Sequence, residues 1–140
     1  MGISTLLTFT ACNLNLDKLQ VHPSFETMLE HPTMPCLNEN FDFFIDVFGV
    51  YVVAPQEAPL GYVVHTSNVL AEYLDNDADG SPDDALVHEY LVEHNYIVPV
   101  WTESDRERLW EQLEGTECED NVGMAASMYY NEDLGWNGYF

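Results

Sequence analysis

Hydrophobic residues along the chain concentrate in two dense runs. Residues 41–54 are rich in aromatic and β-branched side chains, which predicts a central strand buried on both faces. Gly49 within this run indicates a bulge or a close backbone approach. Residues 96–101 have the same character but contain Pro99, which has no N–H to donate. The second run is therefore predicted to be an edge strand.

Helical spacing of apolar residues marks the segments beside these runs. Residues 64–74 carry apolar positions three and four residues apart and predict a helix. A second helix is predicted over residues 85–94, with Asp83 or Asp84 as its N-cap. The stretch between the two helices is acidic, so the pattern predicts a helix, an acidic loop and a helix in succession.

A third helix is predicted over residues 102–114. Ser104 and Glu107 have the spacing of a capping box, and Gly115 is a suitable stop. Together these elements indicate the α+β class, with a small sheet packed by about three helices. One acidic helix–loop–helix motif lies among them.

Composition and charge bound the function. The chain has 140 residues and is 46% hydrophobic, which is enough for one domain with a core. Its 25 acidic residues face 3 basic ones, giving a net charge of −22. No basic patch can be assembled from three residues, so binding to nucleic acid or to anionic lipid headgroups is excluded. The charge fits a protein that holds cations.

The densest charge lies in residues 75–84, which read Asp-Asn-Asp-Ala-Asp-Gly-Ser-Pro-Asp-Asp. Acids at alternate positions of a tight loop place several oxygen ligands within reach of one hard divalent cation. Gly80 allows the sharp turn that such a loop needs. The alternative is an acidic loop that only ends a helix, but five acids in ten residues repel one another unless a cation neutralises them.

This pattern resembles the calcium loop of the EF-hand and the Asp-rich loops of thrombospondin type 3 repeats. The resemblance covers about a dozen residues. It implies a Ca²⁺ ion held by a set of side chains and one backbone carbonyl, that of Ser81. The implied ligands are Asp75, Asp77, Asp79, Ser81 and Asp83.

The resemblance fails at the twelfth loop position. An EF-hand carries a bidentate Glu there, and this chain has Leu86. Glu89, one turn further along the second helix, or water is expected to complete the shell, whereas Asp84 at the tenth position should point away. The expected site is therefore structural and weaker than that of a calcium sensor.

The N-terminal residues suggest export. Residues 1–12 form an apolar run ending in Ala-Cys, which is similar to the end of a bacterial lipoprotein signal and implies lipidation of Cys12. No Lys or Arg precedes the run, so an ordinary buried strand is the alternative. Residues 13–40 are interpreted as a linker and irregular segment, with a short helix over residues 24–30. Residues 41–140 are interpreted as the calcium-binding domain, and its aromatic C-terminal end indicates either a truncated chain or a terminus tucked into the core.

The remaining cysteines form an even pair. Outside the cytoplasm, Cys36 and Cys118 are expected to form a disulfide, and in a reducing compartment they would stay free thiols. A zinc site on the second helix is not expected, because His88 and His94 are six residues apart and face opposite sides.

The sequence thus predicts a secreted or lipid-anchored domain with one structural calcium. It predicts no nucleic-acid partner, and membrane contact only through a lipid anchor. The alternative is the N-terminal part of a larger secreted hydrolase whose catalytic residues lie beyond Phe140.

Overall fold

A mixed five-stranded sheet forms the centre of the fold. The computed structural model describes residues 25–124 and 126–131. The strands, in spatial order as well as in chain order, are β1 Thr27–Met28, β2 Phe43–Val47, β3 Val50–Ala54, β4 Ile97–Trp101 and β5 Met128–Tyr129. β1 pairs with β2 and β2 with β3 in antiparallel fashion, whereas β3 pairs with β4 and β4 with β5 in parallel. This arrangement confirms the α+β prediction.

Four α-helices accompany the sheet in the described residues. They are α1 Leu60–Leu74, α2 Ala85–Glu93, α3 Glu103–Leu113 and the single turn α4 Cys118–Asn121. Parallel strands need a crossover connection, and α1 with α2 provides it between β3 and β4. The acidic residues 75–84 lie in the middle of this crossover. None of these helices combines the length and the apolar character required to cross a bilayer.

The sheet is buried on both faces. Alternate residues of β3 point to opposite sides, so Val50 and Val52 join one core with Val63 of α1. Val53 joins the other core with Trp101 and with Leu109 of α3. Two-sided burial explains why residues 41–54 read as a continuous apolar run.

The predicted single strand over residues 41–54 is wrong, because the run folds back into the β2–β3 hairpin. Phe48 and Gly49 form its turn with φ values of 55° and 87°. Positive φ at both turn residues matches the twist of the two strands. The N–H of Gly49 donates to the carboxylate of Asp46, and a Cβ on Gly49 would lie 3.0 Å from Cγ2 of Val92. Gly49 is therefore explained by the hairpin turn, with the side chain of Val92 close to it, rather than by the predicted strand bulge or close backbone approach.

The edge-strand prediction for residues 96–101 is also wrong, since β4 lies between β3 and β5. Ile97 and Trp101 direct backbone groups toward Gly123 and Tyr130, on the side of β5. Alternation along the strand puts the nitrogen of Pro99 on that same side, ahead of the start of β5. The missing N–H therefore costs no ladder hydrogen bond.

Two local predictions are also wrong, namely the capping box of α3 and the short helix in the N-terminal segment. The capping box of α3 is formed by Thr102 and Asp105, not by Ser104 and Glu107. Gly115 does follow the helix, with a φ of 76°. Instead of the short helix predicted over residues 24–30, the chain forms β1, and Phe25 is buried. Residues 1–24 and 132–140, with Cys12 and the predicted truncation, lie outside the described residues.

The predicted disulfide between Cys36 and Cys118 is present and joins positions 82 residues apart. Cys118 is 1% exposed, so the bond lies inside the core that also holds Trp101.

Breaking this disulfide should strongly destabilise the domain. Closing a loop of this length lowers the entropy of the unfolded chain, and its loss should cost about 4 kcal/mol of unfolding free energy. Urea denaturation of the Cys36→Ala, Cys118→Ala double variant measures this cost. The reduced wild type, which keeps both sulfur atoms, separates cross-link loss from lost packing; equal stability of oxidised and reduced wild type would contradict the prediction.

A buried histidine holds the segment before β2. His31 is 5% exposed, and its Nδ1 accepts the N–H groups of Thr33 and Met34 at 3.2 and 3.0 Å. Its ring lies 4.1 Å from that of Tyr51. Burial lowers the pKa of His31 below 6.5, although the charge of Asp46 acts in the opposite direction. The neutral ring is thus the form that this segment requires.

Acid should therefore weaken the fold through His31. Because the folded pKa lies below the unfolded value of 6.5, this stability is complete above pH 6.5 and is lost as the pH falls toward the folded pKa. Unfolding free energies measured from pH 7.5 to pH 5 should fall more steeply for the wild type than for His31→Asn, whose side-chain oxygen can still accept the two N–H groups. Parallel curves for the two proteins would exclude this role.

Candidate metal centre

Asp75 organises the acidic loop from the end of α1. It is the C-cap residue of the helix, and its own N–H donates to the carbonyl of Ala71 at 2.8 Å. Its side chain turns inward and is 6% exposed. The two carboxylate oxygens accept the N–H groups of Asp79 and Gly80 at 3.0 and 2.8 Å. These bonds fold the loop back over Asp75, and positive φ at Ala78 and Gly80 allows the turn.

Three carboxylates converge at this loop. One side-chain oxygen from each of Asp75, Asp77 and Asp83 lies within 4.8 Å of the others. Asp77 and Asp83 are exposed, and the backbone N–H of Asp83 donates to the carbonyl of Leu74 at 2.8 Å. The Asp83 carboxylate accepts the N–H of Asn76 at 2.7 Å. Both ends of the loop are thus held together, and the cluster could hold a metal ion.

The other predicted ligands lie outside this triad. Asp79 uses one carboxylate oxygen to accept the N–H of Ser81 at 2.9 Å. Glu89 is exposed on α2 and is not a member of the cluster. Leu86, at the twelfth loop position, is 79% exposed. Coordination by Asp79, by the carbonyl of Ser81 and by Glu89 therefore stays a prediction.

Asp84 has a separate function as the N-cap of α2. Its Oδ1 accepts the N–H groups of Leu86 and Val87, both at 3.0 Å. The choice between Asp83 and Asp84 as the cap is thereby resolved, and the expectation that Asp84 points away from a bound cation agrees with this geometry. The two adjacent acids therefore have different roles: Asp84 caps α2, and Asp83 belongs to the triad.

One contact that the sequence did not suggest fixes α2 against the sheet. The Nε2 of His88 bonds to the carbonyl of Phe48 in the hairpin turn. His94 bonds instead to the carbonyl of Tyr90, one turn back on its own helix, at 2.8 Å. No spacing rule links His88 with a turn 40 residues earlier, so only the fold brings them together.

Negative charge accumulates at the triad. The N–H of Asp79 donates to Asp77 at 3.2 Å, which favours ionisation. The charge of Asp79, partial desolvation, the charge of Asp83 and a hydrogen bond with the side chain of Asp75 together outweigh this bond, so the pKa of Asp77 is raised. The C-terminal end of α1 adds a partial negative charge beside Asp75. The arrangement therefore favours a cation over an empty acidic loop.

Comparison with known proteins identifies no relative. The chain matches no protein-family model, and neither the curated proteins nor the solved structures contain a significant match.

Removing the charge of Asp77 should have opposite effects with and without metal. In chelator, Asp77→Asn should raise the melting temperature at pH 7, because a raised pKa means that the ionised side chain is less favourable in the folded chain. With calcium, the same variant should gain less stability than the wild type. Thermal melts in both buffers test this, with Glu111→Gln, an exposed charge change on α3, as the control. A decrease in chelator would refute the repulsion argument.

Proposed function

We propose that the loop from Asp75 to Asp84 binds one Ca²⁺ ion, and that this ion is structural. The observation that carries the proposal is the convergence of Asp75, Asp77 and Asp83 within 4.8 Å. All three supply oxygen, the donor that hard cations prefer, and no nitrogen or sulfur ligand accompanies them in this cluster.

The hydrogen bonds of the loop leave room for coordination. Each carboxylate oxygen has two lone-pair directions, so Asp75 can bind a cation while it accepts the N–H groups of Asp79 and Gly80. Ca²⁺ takes six to eight oxygens in irregular geometry, and the triad can supply up to six. Backbone carbonyls, Glu89 or water complete the shell. Mg²⁺ fits less well, since it requires an octahedral shell and retains several waters.

The ion would act by joining α1 to α2. Asp75 ends α1, and Asp83 directly precedes the cap of α2. Within the described residues, α2 contributes no fully buried side chain to the core. Its position therefore depends on the partly buried Leu91, on polar contacts such as that of His88, and on the loop. Neutralising the three carboxylates would remove the repulsion that separates the two ends of the loop.

We further propose that the protein works outside the cytoplasm, secreted or lipid-anchored. The disulfide between Cys36 and Cys118 supports this location, because such bonds persist in oxidising compartments. Millimolar extracellular calcium would load a site of modest affinity. The alternative of a larger secreted hydrolase remains a prediction, as its catalytic residues would lie beyond Phe140.

Calcium should bind once per chain and raise the melting temperature. For a Kd of about 0.1 mM, 10 mM calcium should add about 2.7 kcal/mol of stability and about 8 °C to the melting temperature. Isothermal titration calorimetry and thermal melts, with calcium and with chelator, measure both effects. The Asp77→Asn, Asp83→Asn double variant should lose them.

Two further variants sharpen the test. Glu72→Gln removes an exposed charge from α1 outside the triad and should bind as the wild type does. Glu89→Gln should weaken binding only if Glu89 completes the shell. Absence of binding heat in the wild type, together with identical melts in calcium and chelator, would refute the proposed function.

A further inference from the structure

A cavity of about 600 Å³ opens between the hairpin turn, β1 and the acidic loop. It is separate from the carboxylate triad, although Gly80 of the acidic loop forms part of its wall. Its other lining residues come from two segments that pack against each other. They are Phe25, Glu26 and Met28 from the first segment and Asp46, Phe48 and Gly49 from the second.

The charged part of the wall is entirely acidic. Glu26 is exposed, and Asp46 is half-buried. Asp46 uses its two oxygens to accept the N–H of Gly49 and, at 3.4 Å, the hydroxyl of Tyr51. Burial of the Tyr51 ring, followed in importance by the charge of Asp46 and the hydrogen bond to it, raises the pKa of Tyr51 to about 12. An anionic ligand would meet repulsion from both carboxylates.

The rest of the wall is apolar or lacks side chains. The rings of Phe25 and Phe48 meet at 88° with centroids 5.5 Å apart, and Met28 also lines the cavity. The two glycines bring backbone to the surface of the cavity. These apolar walls offer a bare metal ion no ligands, whereas the methylene groups of an organic cation would gain contacts with them.

We propose that this cavity binds an organic cation with an apolar stem, namely an alkylammonium or guanidinium group. The charged head lies between Glu26 and Asp46, and the stem packs on the two phenylalanine rings. Aromatic rings attract cations in addition to supplying apolar surface. The volume is ample for a lysine or arginine side chain with its backbone, so the cation can belong to a small molecule or to a basic peptide.

The test uses the full chain in 10 mM calcium, with N-acetyl-lysine methylamide and N-acetyl-arginine methylamide as probes. Amide chemical shifts of Phe48, Gly49 and Gly80 should move and saturate on titration. N-acetyl-norleucine methylamide has a similar apolar stem without the charge and should leave them unchanged. A short Lys-containing peptide, compared with the free derivatives, distinguishes a peptide partner from a small molecule.

Two matched variants test whether the carboxylate of Glu26 contributes to binding of the cation. Glu26→Gln should weaken binding about five-fold, the factor for losing one unit charge at contact distance in a watery site. Glu30→Gln removes an exposed charge from the same segment outside the lining and should bind as the wild type does. Shifts that do not saturate, equal shifts with norleucine, or equal weakening by both variants would overturn the proposal. Calcium titration of Glu26→Gln reports on the metal site independently, so the two proposals can fail separately.

Discussion

Parallel pairing of β3 with β4 is the constraint on which the rest of the structure depends. Tyr51 pairs with Ile97 and Val53 with Pro99, so the chain must leave one end of the sheet and return to the other. A crossover of this kind needs helices, and α1 packs onto the sheet as its first half. The acidic loop lies where the crossover changes direction. Its position therefore follows from the sheet rather than from the loop sequence itself.

Much of the fold could be predicted from the pattern of apolar residues, because burial determines that pattern. The three longer helices and the two buried runs were identified in this way. The hairpin was not, since Phe48 is an unusual residue at positive φ. Its conformation is stabilised by the local bond from Gly49 to Asp46 and by the edge-to-face packing of Phe48 on Phe25. The packing on Phe25 is long-range support, which leaves no local signal.

The candidate site was predictable to a similar degree. Alternating acids and a glycine predicted a cluster of carboxylates, and three carboxylates do meet, although Asp79 of the alternating run is not among them. The sequence could not show which of the acids would join the triad. Asp79 accepts the N–H of Ser81, whereas Asp83 belongs to the triad. Both positions depend on the backbone conformation of the loop. The chain thus combines charge repulsion at Asp77 with hydrogen bonds that hold the repelling groups together.

The position of the disulfide determines which parts of the molecule belong to one covalent ring. Cys36 precedes β2 and Cys118 follows α3, so the bond encloses the hairpin, β4 and the entire acidic crossover. A protease that cuts one peptide bond within this ring opens it without releasing a fragment. A cut in the exposed acidic loop would therefore leave both halves attached through sulfur, as well as through the pairing of β3 with β4. Covalent separation of the halves would require reduction of the disulfide as well as the cut.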